Sequence, residues 1–67
     1  MYNLTEREKQ VALLVREGLS NKEIAENLYV SVHTVKAELE HLDEKLNLKN
    51  RVQLAIYVLK SELTSNI

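Results

Sequence analysis

The chain has 67 residues, a formal net charge of −1 and no cysteine. These values confine it to one domain with one small core and exclude a disulfide framework or a thiolate metal site. Three tyrosines are its only aromatic residues, proline is absent and glycine occurs once, so the core must be aliphatic and long helices with tight connections are favoured. No stretch approaches the roughly 18 apolar residues of a membrane span, and Met1-Tyr2-Asn3 lacks the charged and apolar blocks of a signal peptide. The expectation is a soluble cytoplasmic protein, with residues 1–67 forming a single domain.

The spacing of apolar residues and capping signals predicts four helices, near residues 6–17, 21–28, 32–46 and 51–63. Thr5 with Glu8 three residues on is a capping box that opens the first, and Leu4 ahead of it is placed to staple onto the stem of Lys9. Val11, Leu14 and Val15 continue an apolar stripe, and Gly18 can take the left-handed conformation that ends it. Ser20 with Glu23 forms a second capping box, opening a short helix with Ile24, Ala25 and Leu28 turned inward. Leu28-Tyr29-Val30 contains no helix breaker, but Ser31 is a fresh N-cap, so a turn of about three residues must separate two helices there. In the third helix Val35, Leu39, Leu42 and Leu46 repeat at helical spacing and give one inward face. Asn47 to Asn50 reads as a turn with Leu48 as its buried peg. Asn50 caps the fourth helix, Gln53 completes a weak box, and the end frays in Thr64-Ser65-Asn66.

A short helix, a tight turn and a longer helix make a helix-turn-helix, whose second helix enters the DNA major groove. Detail extends the match. Leu4-Thr5-x-Arg7-Glu8, Gly18-Leu19-Ser20-Asn21-Lys22-Glu23-Ile24-Ala25, Leu28-x-Val30-Ser31-x-x-Thr34-Val35-Lys36, Lys45-Leu46-x-Leu48-x-Asn50-Arg51 and Ala55 follow one another without a gap. This run, from Leu4 to Lys60, closely resembles the DNA-binding domain of LuxR-type regulators, also called the GerE-type helix-turn-helix. The resemblance implies an all-α fold of four helices, the second and third forming the DNA-reading unit and the fourth a dimer contact. It also implies double-stranded DNA and a second copy of the chain as partners, with RNA polymerase as a further candidate. No membrane, small molecule or cofactor is implied for this domain.

Carried over position by position, the resemblance places base contacts at His33, Lys36, Ala37 and Glu40, which share one helix face. Lys36 there can donate to guanine O6 and N7, His33 can donate to a phosphate or a base, and Ala37 can offer a methyl contact to thymine. Phosphate contacts fall to the helix starts at Ser20, Asn21, Lys22 and Ser31, where free N–H groups favour an anion. Thr34, Lys49 and Arg51 add to them.

The sequence departs from the family pattern where charge matters. The family commonly has histidine at the position of Glu38 and a basic or neutral polar residue at that of Glu40. Here Glu38, Glu40, Asp43 and Glu44 ride on the reading helix, set against Lys36 and Lys45. Phosphate neutralisation dominates DNA affinity, and a carboxylate at 40 is repelled by phosphates, although it can accept from cytosine N4. The plain reading of residues 38–44 is a solvated helix face, with Lys36 and Glu40 paired at i+4. An alternative function follows: a helix-turn-helix-shaped protein-interaction module or antagonist whose acidic third helix does not bind DNA. A domain like region four of sigma factors shares the architecture but is more basic.

His33 and His41 stand eight residues apart with no third ligand at i+4 spacing, which makes no metal site, and no serine or cysteine nucleophile is evidently paired with them. An enzyme is not expected. The fourth helix carries more apolar residues than one face needs. Leu54, Ala55 and Val58 can pack on helices one and three, whereas Val52, Ile56, Leu59 and Leu63 form a second stripe that suggests a partner chain. A domain this small buries only about 60% of the surface its unfolded chain exposes, so a partner is also its most available staple.

Overall fold

Each of the four capping signals opens a helix in the computed structural model, which describes residues 4–65, with side chains through residue 61. The helices are α1 (Glu6–Arg16), α2 (Asn21–Leu28), α3 (Val32–Leu46) and α4 (Arg51–Ser65), and no strand is present among the described residues. α1 stops one residue short of the expected end. α4 runs on through Thr64 and Ser65, where fraying was expected; Asn66 lies outside the described residues.

The N-termini are closed locally. Thr5 Oγ1 accepts from the Glu8 N–H at 3.1 Å while Glu8 Oε1 accepts from the Thr5 N–H at 2.8 Å. Ser20 and Glu23 repeat the exchange at 3.2 and 2.8 Å. Ser31 Oγ accepts from the Thr34 N–H at 3.1 Å. At α4 the expected box is only half made. Asn50 Oδ1 accepts from the Gln53 N–H at 3.0 Å, but Gln53 Oε1 reaches back one residue further, to the Lys49 N–H at 2.7 Å. Each cap satisfies a donor that the helix start leaves orphaned, a contribution of about 1 kcal/mol.

The C-termini of α1, α2 and α3 share one device. Gly18, Tyr29 and Asn47 take left-handed backbone conformations, with φ of 86°, 58° and 57°. In each case the next N–H donates back into the helix: Leu19 to the Leu14 carbonyl at 3.3 Å, Val30 to Ala25 at 3.0 Å, Leu48 to Asp43 at 2.8 Å. This is the Schellman closure, and the residue after the left-handed one is apolar each time. Leu19, Val30 and Leu48 all pack against the core. Leu48 is thus half-buried rather than fully so.

The core is aliphatic throughout. Val11, Ile24, Val35, Leu42, Leu54 and Val58 are fully buried, so every helix contributes to it. Leu4 is also buried within this cluster, while Lys9 is exposed. On α3 the inward row is Val35, Leu42 and Leu46, with Leu39 half-buried at its edge. α1 packs most extensively on α4, and α2 on α3. The second pairing is the helix-turn-helix, and α1 bridges it to α4.

Tyr29 is the strained member of the three helix ends. An aromatic side chain in the left-handed region costs roughly 1–2 kcal/mol, and Tyr29 is 95% exposed, so no burial of its ring offsets the cost. Asparagine tolerates this backbone better. Tyr29→Asn is therefore expected to raise the unfolding free energy by about 1 kcal/mol in urea melts; a variant less stable than the parent would contradict this assignment of strain.

Candidate nucleic-acid interface

The inward row of α3 fixes which residues must point out. Val35, Leu42 and Leu46 hold one side of the helix in the core, and His33, Lys36, Ala37 and Glu40 are all exposed on the other. The structure thus brings the four expected base-contacting residues onto one accessible strip, beginning at the capped N-terminus of α3. Lys36 and Glu40 form no ion pair with each other among the described residues, contrary to the plain i+4 reading.

The acidic run does not form one solvated face. Glu38 turns toward α1, where its Oε1 accepts from Arg7 Nε at 3.0 Å. Its Oε2 is buried and has no hydrogen-bond partner. Asp43 is half-buried, with Oδ1 in the same condition, and loss of solvent pushes its carboxyl above the ordinary value. Only Glu40 and Glu44 remain exposed. The expectation of four carboxylates facing outward is corrected to two, because a helix of this length in a small domain is contacted on more than one side.

Lys45 also leaves the outer face. Its Nζ donates to Glu8 Oε1 at 2.9 Å, and His41 Nε2 lies 3.6 Å from Glu8 Oε2. Glu8 therefore serves both as the capping-box residue of α1 and as the anchor of α3's flank. The Lys45 ammonium, and next the Thr5 backbone N–H, hold its carboxyl below the ordinary value. The Ser20 N–H does the same for Glu23. These two interactions are fully present above the ordinary carboxylate range and are lost as pH falls through the lowered values. Asp43 has the opposite sign: its charge opposes folding above its raised value, and protonation relieves it.

A shallow groove runs between the α1 N-terminus and α3. It is lined by Arg7, Val11, Glu38 and His41, together with His33 and Ala37 from the exposed strip. The groove and the strip are thus contiguous. Among the described residues no group of three or more His, Cys, Asp or Glu gathers to hold a metal ion.

The expected phosphate contacts fall into two groups. Lys22 and Lys49 are exposed. Ser20, Ser31 and Thr34 are exposed or half-buried, but their hydroxyls already serve the caps, with Ser31 Oγ 2.9 Å from Thr34 Oγ1. Arg51 is half-buried and clamps the α1–α2 connection to α4, donating to Asn21 Oδ1 and to the Leu19 carbonyl. On α4, Val52, Ile56 and Leu59 are 66%, 46% and 49% exposed, while Leu54 and Val58 are fully buried. Leu63 lies outside the residues whose side chains are described.

Sequence reasoning missed Arg7. It pairs with Glu38 across 31 residues, and no local spacing signals that contact. The sequence shows a carboxylate at 38 on α3 and three cations on α1, Arg7, Lys9 and Arg16, with nothing to pair one with the other.

Residues 2–58 match the family described as bacterial regulatory proteins, luxR family. The chain is 48% identical over 60 residues to the oxygen regulatory protein NreC of Staphylococcus carnosus, and 47% identical to those of Staphylococcus epidermidis and Staphylococcus aureus. Each alignment covers 90% of this chain and 28% of the relative, so the chain spans little more than a quarter of the length of these proteins.

Proposed function

The chain belongs to the luxR family of bacterial regulatory proteins, a non-enzymatic family of DNA-binding transcription-regulator domains, and on that premise we propose that it binds double-stranded DNA as a homodimer with the N-terminal half of α3 in the major groove. The observation that carries this reading is the exposed strip of His33, Lys36, Ala37 and Glu40, beginning at the capped start of α3. Lys36 donates to a guanine edge, Glu40 accepts from a cytosine amino group, His33 donates to a base or phosphate, and Ala37 meets a thymine methyl.

Phosphate positioning comes from the N-termini of α2 and α3, which present backbone N–H groups at Asn21-Lys22, beside the Ser20 cap, and just after Ser31, and from the ammonium groups of Lys22 and Lys49. Thr34 and Arg51 support those termini from within. With few cations and a net charge of −1, affinity is modest and falls further with salt. The domain works in the cytoplasm on promoter DNA beside RNA polymerase and binds no small molecule or cofactor itself.

A protein-binding role for an acidic third helix is the competing reading. Its support weakens once Glu38 is paired to Arg7 and Asp43 is half-buried, because the outward charge of the strip is then one lysine against Glu40 and Glu44.

Dimerisation rests on the stripe Val52, Ile56 and Leu59, continued in sequence by Leu63. Shallow grooves flank Ile56 on both sides, one bounded by Arg16, Ala55 and Leu59 and the other by Leu48, Tyr57 and Lys60. An identical helix crossing here would seat its own Ile56 against one of them. Each such side chain contributes about 1.5–3 kcal/mol when fully buried, offset by the entropy of association. The two-fold pair would place its reading helices about 34 Å apart, in successive major grooves.

Glu40→Lys reverses a charge on the strip and is expected to tighten binding to random-sequence duplex several-fold at low salt, measured by fluorescence anisotropy. Unchanged affinity would remove residue 40 from the DNA face. Ile56→Glu is expected to abolish concentration-dependent self-association in analytical ultracentrifugation. A parent that stays monomeric at millimolar concentration, or a variant that associates equally well, would take α4 out of the interface.

A further inference from the structure

The reading helix of this chain carries a carboxylate at position 38, beside the strip that the proposed function assigns to DNA. The structure shows how that charge is handled. Glu38 Oε1 is bonded to Arg7 Nε at 3.0 Å, and Oε2 is buried without a hydrogen-bond partner. The carboxylate is therefore engaged toward α1, with one oxygen buried and the other held by Arg7. The two side chains line the groove that also contains His33 and Ala37, so a carboxylate released from Arg7 would stand at the edge of the reading strip. Its neighbours keep the arrangement in place. Glu8, next to Arg7 in the chain, is held to α3 by Lys45 at 2.9 Å, with His41 at 3.6 Å.

We propose that Arg7 is a positioning residue for DNA binding: it pairs with Glu38, cancels its charge and keeps it turned away from the phosphates, without touching DNA itself. The inference rests on the reading of α3 as the DNA-contacting helix and adds a residue of α1 to what that helix needs. Its physical basis is the distance dependence of charge. A neutral pair at the groove edge exerts little force on a phosphate, whereas a lone carboxylate there repels it. Because the pair is partly exposed, at 41% for Arg7 and 28% for Glu38, a Glu38 released from Arg7 can swing to water, and the loss to folding is that of a surface ion pair. The effect belongs in affinity.

The test is the affinity of the 67-residue chain for a random-sequence duplex at low salt, measured for five variants whose folding is checked by thermal melts. Arg7→Ala is expected to weaken binding about three- to tenfold, and Arg7→Lys, which keeps a cation within reach of Glu38, to restore most of the loss. The double variant Arg7→Ala with Glu38→Gln should return to within about twofold of the parent, because the charge Arg7 controlled is gone. Glu38→Gln alone should bind at least as tightly as the parent. Arg7→Ala with Glu17→Gln has the same net charge but removes a carboxylate at the opposite end of α1, and it should stay as weak as Arg7→Ala. If the Glu38 double variant is as weak as Arg7→Ala, Arg7 contacts DNA directly and the proposal is wrong. If the Glu17 double variant recovers equally, only net charge matters and the proposal is again wrong. A parent that binds no duplex under these conditions overturns the DNA-binding reading itself, a result distinct from a parent that binds and an Arg7→Ala variant that matches it.

Discussion

Three left-handed residues at helix ends set the geometry of this domain. Gly18, Tyr29 and Asn47 each stop a helix within one or two residues of its end, and each is followed by an apolar side chain, Leu19, Val30 or Leu48, that packs on the core. The chain reverses direction without proline and with one glycine. Because the next helix is capped one or two residues later, at Ser20, Ser31 and Asn50, no connection has slack. The angle between α2 and α3 is thus held by backbone geometry at the turn and by the burial of Ile24 and Val35 in one core cluster. What a helix-turn-helix needs is one helix held rigidly by another, and here the turn supplies much of that rigidity. Tyr29 carries a conformational cost for the same purpose.

That rigidity determines how charge is distributed around α3. One side is in the core, a second faces α1, and only the remainder is free. Glu38, His41 and Lys45 fall on the side facing α1, where Arg7 and Glu8 receive them. His33, Lys36, Ala37 and Glu40 fall on the free side. A nearly neutral chain can in this way present a helix face less acidic than its composition suggests. α1 therefore does more than complete the core. Its first turn determines which charges of the third helix reach solvent.

Much of this was legible in the sequence because the signals were local. Thr5 with Glu8 and Ser20 with Glu23 announce helix starts through hydrogen bonds that span three residues. The row Val35, Leu42 and Leu46 announces an inward face through helical periodicity. The outward strip on α3 follows by subtraction. Asn47 and Tyr29 were less legible. Neither is glycine, and only the combination of an apolar residue after them and a cap soon afterwards marks the turn. The Arg7–Glu38 and Glu8–Lys45 pairs were not legible at all, because their partners lie 31 and 37 residues apart and depend on how α1 crosses α3. The same limitation explains the acidic run. From sequence it is one block, whereas a helix divides consecutive residues among several directions. Arg51 illustrates the converse, since a cation that suits a phosphate is drawn inward by Asn21 and the Leu19 carbonyl.

The central claim is that the free side of α3, approached over the N-termini of α2 and α3, is the surface that meets DNA. Amide chemical-shift mapping of the isotopically labelled chain, titrated with a short random-sequence duplex at low salt, tests it most directly. The largest perturbations are expected at residues 31–40 and 20–22, with the exposed stripe of α4 at Val52, Ile56 and Leu59 little changed beyond any effect of dimer formation. Perturbations centred on the C-terminal half of α1 or on α4, with residues 31–40 unmoved, would contradict it.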